Sequence, residues 1–139
     1  MARIELMSWE NARAQASAIR LAVFVEEQGV PREIEIDEID AQCVHALAFE
    51  DGTAVGTGRL LPDGHIGRMA ILKPWRGRGI GSAILHSLIE AARRRGDRAV
   101  MLSAQVHAVD FYRAHGFAPE GEVYEEAGIA HQAMIRALP

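Results

Sequence analysis

The sequence predicts an α/β domain in which a mixed central β-sheet is flanked by helices. Residues 66–85 contain an apolar run, a glycine-rich turn and an amphipathic pattern, which predict a strand, a turn and a helix in succession. An apolar run at 99–102 follows that helix and indicates a strand buried on both faces. Strand, helix and strand in this order predict a parallel pair with a right-handed crossover. Because 139 residues can bury one full core, we expect a single domain over residues 1–139.

The N-terminal part of the chain is predicted to form a short strand and a helix. Residues 4–7 form the strand, and Ser8 is a favourable N-cap for the helix. Gly29 and Pro31 end the helix, because glycine favours the position after a helix and proline cannot continue one. Apolar residues at helical spacing form its buried face: Ala12, Ala16, Ile19 and Val23.

A hairpin is predicted in the next part of the chain. Residues 33–40 mix apolar periods of two and three, so they predict either a loop or a short helix. Residues 44–49 and 54–61 predict two strands, and Asp51-Gly52 between them is a strong hairpin signal.

The rest of the chain alternates strands and helices. The strand at 66–72 closes at Pro74, because proline is not found inside central strands. The following helix runs from Ile80 to about residue 95, where three arginines and then Gly96 suit a helix C-terminus. After the strand at 99–102, the sequence predicts a short helix and two last strands, at 106–115, 117–123 and 129–137.

The turn between strand and helix has the features of a phosphate site. Gly77, Gly79 and Gly81 alternate, and without a Cβ atom they allow a ligand to approach the backbone closely. The start of the following helix presents unpaired N–H groups and the positive end of the helix dipole. Arg76 and Arg78 add positive charge, so the turn predicts binding of an anion such as a phosphate.

Spacing excludes two nucleotide motifs at this turn. A P-loop requires Gly-Lys-Ser/Thr, whereas Gly81 is followed directly by Ser82. A dinucleotide fingerprint requires a third glycine, and that sixth place is again Ser82. A plain glycine hinge without a ligand remains the alternative interpretation.

The spacing Arg76-x-x-Gly79-x-Gly81 resembles the acyl-CoA-binding motif of the GNAT superfamily of N-acyltransferases, whose pattern is Gln/Arg-x-x-Gly-x-Gly/Ala. The resemblance implies acetyl-CoA as co-substrate and a GNAT fold, with the preceding strand running along the pantetheine arm. Backbone N–H groups of that strand, at Met69, Ala70 and Ile71, could then polarise the thioester carbonyl. The turn itself would bind the cofactor through Arg76, Gly77, Arg78, Gly79, Ile80, Gly81 and Ser82.

A second stretch is similar to another hallmark of the same superfamily. Phe111-Tyr112 is followed, after three residues, by Gly116-Phe117. The family often has an asparagine seven residues before this tyrosine that contacts the cofactor arm, and Gln105 occupies that place here. The resemblance implies that Tyr112 is the general acid. The alternative is that Tyr112 is a half-buried aromatic residue with a hydrogen-bonded hydroxyl.

Two further runs, at 20–28 and 123–134, resemble the ElaA-like branch of the superfamily. They contain Phe24-Val25-x-Glu27-Gln28 and Gly128-Ile129-x-His131. What the family implies is acetyl transfer from acetyl-CoA to an amine. We expect the acceptor to be a small primary amine that attacks the thioester directly, in a reaction that needs no metal. Three residues are candidates for the base, and spacing cannot rank them: Glu27, Glu126 and His131. A non-catalytic acyl-CoA-binding sensor or partner-binding module is the alternative function.

An acidic segment predicts the charge of the acceptor. Seven acids follow the first helix with only Arg32 opposing them, and such a cluster would attract a cationic amine, unless it is simply a solvated loop. They are Glu26, Glu27, Glu33, Glu35, Asp37, Glu38 and Asp40.

Composition limits the remaining classes of function. The net charge of −4 argues against nucleic acid, and no apolar run reaches membrane length. The single Cys43 allows no internal disulfide and, without a signal-like N-terminus, is consistent with the cytoplasm. No Cys/His spacing predicts zinc, and a homodimer is possible.

The histidines are predicted to differ in exposure. We expect His65, His86 and His115 to lie at the surface, whereas His45 and His131 belong to strands and are either core or functional residues.

Overall fold

The computed structural model describes residues 2–32 and 37–139. Its first sheet has four antiparallel strands in sequence order, β1 (Arg3–Met7), β2 (Val44–Glu50), β3 (Thr53–Leu60) and β4 (Ile66–Ile71). Strands β2 and β3 are joined at Asp51 and Gly52, whose φ angles of 50° and 79° are those of the predicted hairpin turn.

The second sheet is also antiparallel. Its order is β5 (Ala99–Gln105), β8 (Ile129–Ala137) and β6 (Ala118–Pro119), and β7 (Tyr124–Glu126) also pairs with β8. One parallel bridge, between His65 and Met101, joins the two sheets. The α/β class is therefore confirmed, with the predicted parallel relation between β4 and β5 limited to this bridge.

Two details of the predicted strands are wrong. Residues 99–102 are not buried on both faces, because Val100 and Leu102 face the core while Ala99 and Met101 stay half-exposed on the other side. The strand expected over 117–123 is reduced to the two residues of β6. Pro119 has no N–H to continue a ladder, and the carbonyls of the next two residues accept hydrogen bonds from the Gln132 side chain instead.

The first helix, α1 (Trp9–Arg20), begins where predicted and continues as a π-helical turn, Leu21–Glu27. Its predicted apolar face is buried, with Ala12, Ala16, Ile19 and Val23 at most 4% exposed. Gly29, at φ 76°, follows the π turn. Single π turns often occur at functional sites. The expected loop or helix at 33–40 lies partly outside the described residues, and its end is a 3₁₀ helix, Glu38–Gln42.

The second helix, α2 (Ile80–Arg95), has the predicted bounds and ends at Gly96, whose φ is 92°. Its apolar stripe packs on the first sheet, where two glycines of β3 allow the close approach. A Cβ atom at Gly58 would lie 2.9 Å from Cγ2 of Ile84. A short α3 (Val109–Ala114), preceded by a 3₁₀ turn, completes the helices that the structure describes. None of the described helices has the length and apolarity needed to span a membrane.

Candidate active site

A cleft opens between the two sheets. Next to the His65–Met101 bridge, the Met101 N–H donates to the Gly64 carbonyl at 3.1 Å, and beyond it no ladder pairing joins β4 and β5 among the described residues. The space between the two strands forms a cavity of about 860 Å³. Its walls come from β4, β5, the π turn after α1, and the β7–β8 connection.

The β4 wall contains an irregularity in its pairing with β3. Thr57 pairs with Ala70 and Arg59 pairs with Gly67, so β4 has one more residue than β3 in this interval. This extra residue makes a bulge, and Arg68 within it has a left-handed φ of 50°. The three predicted backbone donors, Met69, Ala70 and Ile71, line the cavity beside the bulge.

The glycine turn lies directly beyond β4, at the start of α2. Gly77 and Gly79 have φ angles of 76° and 80°, and no atom lies within 4 Å of a Cβ built at either position. Glycine is therefore required here by backbone conformation, and the space beside the turn stays open. The turn thus fits the close approach of a phosphate group to the first N–H groups of α2, which include those of Ile80, Gly81 and Ser82.

The two arginines of the turn have different surroundings. Arg76 donates from Nε to the Ile71 carbonyl at 2.9 Å, and its two terminal nitrogens donate to Glu27 at 2.7 Å each. The guanidinium of Arg78 lies over the Trp75 ring, 4.9 Å from its centroid. Ser82 Oγ is 3.0 Å from Nε2 of His115.

That last contact corrects the expectation that His115 is a surface residue. His115 is half-buried between α3 and the start of α2, whereas His65 and His86 are exposed as expected. A position at a helix end gives no sign of such packing, because the contact depends on how α3 lies against α2.

Tyr112 lines the cavity from α3, and its neighbour Phe111 lies 3.6 Å from a Cβ built at Gly81 of the glycine turn. Its hydroxyl points at the Met69 sulfur, 3.8 Å away, and its ring packs edge-on against Phe111 and Phe117. Burial raises the pKa of Tyr112 to about 12, because the phenolate form would lose its hydration. The phenol therefore keeps its proton at neutral pH.

The three candidate bases lie around the same cavity but in different states. The hydrogen bonds from Arg76 hold the pKa of Glu27 below its usual value, which makes its carboxylate a weaker base. Glu126 lies exposed on β7, and His131 is half-buried on β8. The Nδ1 atom of His131 is 2.7 Å from the Ile129 carbonyl oxygen.

Gln105, at the end of β5, lines the cavity and pairs with a residue that the sequence did not suggest as its partner. Its Nε2 donates to Oε1 of Gln28 at 2.8 Å, and the reverse contact is 3.5 Å long. Gln28 belongs to the run 20–28, but nothing in its local sequence indicates a contact 77 residues away.

Among the described residues of the acidic segment, three carboxylates are paired with arginines and so do not contribute to the open negative surface that was expected. Asp40 is 2% exposed and accepts hydrogen bonds from Arg20 and Arg59, each at 2.9 Å from Oδ1. Asp37 accepts from Arg59 at 3.2 Å. Glu27 is paired with Arg76, and Glu33 and Glu35 lie outside the described residues. The charge argument for a cationic acceptor therefore fails for three of the seven acids.

A buried group of potential metal ligands lies under this network. Ligand atoms of Asp40, Cys43 and His45 are within 4.8 Å of one another. The Asp40 carboxylate already accepts hydrogen bonds from two arginines, and Nε2 of His45 lies 2.9 Å from the Asp40 carbonyl oxygen. His45 is thus a satisfied core histidine, one of the two interpretations that its sequence allows. Burial lowers its pKa and favours the neutral ring.

Solved structures share this whole architecture. A putative N-acetyltransferase from Lactobacillus plantarum superposes with a TM-score of 0.90 over 99% of both chains, at 30% identity. ElaA from Escherichia coli gives a TM-score of 0.87 over 98% of this chain and 99% of that one, also at 30% identity. The fold is thus shared with ElaA and with a protein described as a putative N-acetyltransferase.

Sequence comparison gives the family. The model of the acetyltransferase (GNAT) domain matches residues 11–138. YjcF of Bacillus subtilis (strain 168), described as an uncharacterized N-acetyltransferase, is 37% identical over 91% of this chain and 94% of its own length. ElaA of Escherichia coli (strain K12) is 34% identical over 86% of this chain and 84% of its own length. The chain belongs to the GNAT acetyltransferase family, as its motifs predicted.

Proposed function

We propose that this protein transfers the acetyl group of acetyl-CoA to a small primary amine by direct attack of the amine on the thioester. The observation that supports it best is the cleft itself. Arg76, where the glycine turn begins, lines this cleft together with Tyr112, the β4 bulge, Glu126 and His131. A proton donor and two proton acceptors therefore share one cavity that adjoins the predicted phosphate-binding turn.

Acetyl-CoA fits the residues that line this cleft. Its phosphates would be held by the N–H groups at the start of α2, beside the open space at Gly77 and Gly79. The thioester supplies the acetyl group together with a good leaving thiolate. Backbone N–H groups near the bulge would polarise its carbonyl.

His131 is the base that the geometry favours. Carbonyl oxygens only accept hydrogen bonds, so Nδ1 of His131 must carry its proton to make the contact with Ile129. In the neutral ring, Nε2 then has a free lone pair and can take a proton from the substrate ammonium, which leaves the free amine as the nucleophile. Glu27 is less suited, because Arg76 neutralises its carboxylate.

Tyr112 acts as the proton donor, whereas His131 acts as the proton acceptor. The substrate ammonium first gives one proton to His131, which leaves the free amine. The amine nitrogen then forms its bond to the acetyl carbon while the carbon–sulfur bond breaks, and the second proton that it loses replaces the one that Tyr112 gives up. Tyr112 gives its proton to the departing sulfur, which a phenol with a pKa of about 12 can do because it is fully protonated at neutral pH. The enzyme also contributes by holding the two substrates adjacent in one cleft.

Thermal denaturation with and without acetyl-CoA tests the binding half of the proposal. A ligand that binds only the native state stabilises it by about 2.7 kcal/mol at 100 times its Kd. Gly79→Val should remove this shift, since valine disfavours the left-handed backbone that the turn requires. Gly52→Val, at φ 79° in the β2–β3 hairpin, imposes similar strain and should keep the shift.

Turnover is measured as thiol release from acetyl-CoA with a panel of amines that includes polyamines, amino acids, aminoglycosides and short lysine peptides. Stabilisation by ATP or NAD but not by acetyl-CoA would contradict the proposed cofactor. Binding of acetyl-CoA without turnover on any amine would instead identify a binding module.

A further inference from the structure

Two neighbouring residues at the end of the π turn contact two side chains of the proposed acyl-CoA site. Glu27 accepts two hydrogen bonds from Arg76, each 2.7 Å long. Gln28 pairs its amide with that of Gln105, with the shorter contact at 2.8 Å. We call these two contacts the clasp.

The clasp joins the π turn to both strands that border the cleft. The π turn Leu21–Glu27 contains Glu27 and is followed by Gln28, whereas Arg76 lies between β4 and α2 and Gln105 ends β5. The contacts join residues 49 and 77 positions apart, and all four side chains line the cavity. These two contacts therefore form only in the folded chain, and they lie in the space where substrates would enter.

The donors of Arg76 are the reason that the clasp matters. A guanidinium binds a phosphate or carboxylate best through two parallel N–H groups on one edge. The edge formed by both terminal nitrogens is occupied by Glu27, and Nε on the neighbouring edge is occupied by the Ile71 carbonyl. A phosphate that makes a two-point contact with Arg76 must therefore displace one of these acceptors.

We propose that Glu27 and Gln28 determine the affinity for acyl-CoA by competing with it for Arg76 and Gln105. The proposal rests on the proposed function, because it requires acyl-CoA to bind in this cleft. Glu27 is the displaceable partner, since its carboxylate is exposed and can be rehydrated when Arg76 turns to a phosphate. Displacement also returns the negative charge of Glu27 to the cleft, where it faces the incoming amine.

If Glu27 competes with acetyl-CoA for Arg76, loss of the Glu27 charge must tighten the binding of acetyl-CoA. Removal of the Glu27 charge should tighten acetyl-CoA binding about 2–5-fold, the factor expected from the small net energy of an exposed ion pair. Gln28→Ala should tighten it about twofold. If the ion pair instead held Arg76 ready for a phosphate, Glu27→Gln would weaken binding.

The test is calorimetric titration of acetyl-CoA into the full chain at fixed ionic strength. The variants are Glu27→Gln, Gln28→Ala and Arg76→Ala, and Glu27→Gln is repeated in the Arg76→Ala background. The control is Glu26→Gln, which removes the neighbouring exposed acid. We expect tighter binding for Glu27→Gln, no change for the control, and no effect of Glu27→Gln once Arg76 is absent.

Unchanged or weaker acetyl-CoA binding in Glu27→Gln would contradict the proposal that Glu27 competes with the ligand. Tighter binding that persists when Arg76 is replaced by alanine would also contradict it. Wild-type protein that fails to bind acetyl-CoA would instead overturn the proposed function. The side-chain amide resonances of Gln28 and Gln105 give a second measurement. Both should shift together during the titration, and resonances that stay in place while the ligand binds would contradict their displacement.

Discussion

His131 and Ile129 on strand β8 form a hydrogen bond that selects one tautomer of the imidazole. Its Nδ1 lies 2.7 Å from the Ile129 carbonyl oxygen, so that nitrogen carries the proton and Nε2 is left as the acceptor. The bond is local, but its chemical value depends on the cleft in which the ring lies. The first prediction follows from this pair.

His131→Gln should lower kcat by about 10²–10⁴-fold with little change in the KM for acetyl-CoA, because only the proton acceptor is removed. The loss should shrink as the pH rises towards the pKa of the acceptor amine, since a free amine needs no base. Steady-state rates across a pH series measure both effects. His86→Gln, on the exposed face of α2, is the control and should leave the rate unchanged. A pH-independent loss, or none, would exclude His131 as the base.

Tyr112→Phe should lower kcat by about 10²–10⁴-fold while acetyl-CoA binding persists, because the ring packing is kept and only the hydroxyl is lost. With the pKa of Tyr112 raised to about 12, the wild-type rate should show no decline from phenol ionisation below about pH 11. The measurement is kcat against pH under conditions where chemistry limits the rate. An unchanged kcat in Tyr112→Phe would remove Tyr112 from the mechanism.

Asp40→Asn should destabilise the protein by about 3–5 kcal/mol at pH 7, because Arg20 and Arg59 lose the buried carboxylate that they share and Arg59 keeps, among the described residues, only the ion pair with Asp37. Burial alone would raise the pKa of Asp40, but the hydrogen bonds and charges of the two arginines outweigh it and lower the pKa. Urea denaturation measures the free energy of unfolding, and Glu10→Gln on the exposed face of α1 is the control.

The same network predicts how stability depends on pH. A lowered aspartate pKa stabilises the fold above about pH 4 and loses that contribution as the pH falls through the folded value. Burial also lowers the pKa of His45, so its contribution is present above about pH 6.5 and declines below it. Wild-type stability should fall first below about pH 6.5 and then more steeply below about pH 4. Asp40→Asn should lose part of the second decline, and an identical acid profile would contradict the role given to this carboxylate.

Gly58→Ala should destabilise the fold by about 1–3 kcal/mol through overpacking. Its Cβ would lie 2.9 Å from Cγ2 of Ile84 and 3.1 Å from Leu88 Cδ1, both buried on α2. Gly67→Ala on the neighbouring strand β4 meets no atom within 4 Å and should change the unfolding free energy by less than about 0.5 kcal/mol. Equal effects in chemical denaturation would show that α2 can move away from the sheet at little cost.

Local chemistry determined most of the fold from the sequence. Apolar spacing placed α2 over 80–95, and Asp51-Gly52 identified a hairpin because only a few residues favour left-handed backbone there. The glycine spacing at 76–81 and the Phe-Tyr pair likewise indicated the GNAT family and its cofactor. Each of these patterns depends on residues that are only a few positions apart, so it can be recognised in the sequence without knowledge of the tertiary structure.

The partners of the polar side chains were decided only by the tertiary structure. Glu27 was a candidate base in the sequence, but packing of the π turn against the segment after β4 pairs it with Arg76, 49 residues away. The sequence placed Asp40 in an acidic surface, but in the folded chain it is buried and bonded to Arg20 and Arg59, which belong to two other elements. A charge is read from one residue, whereas its neutralisation, its hydration and its pKa depend on groups brought together by folding.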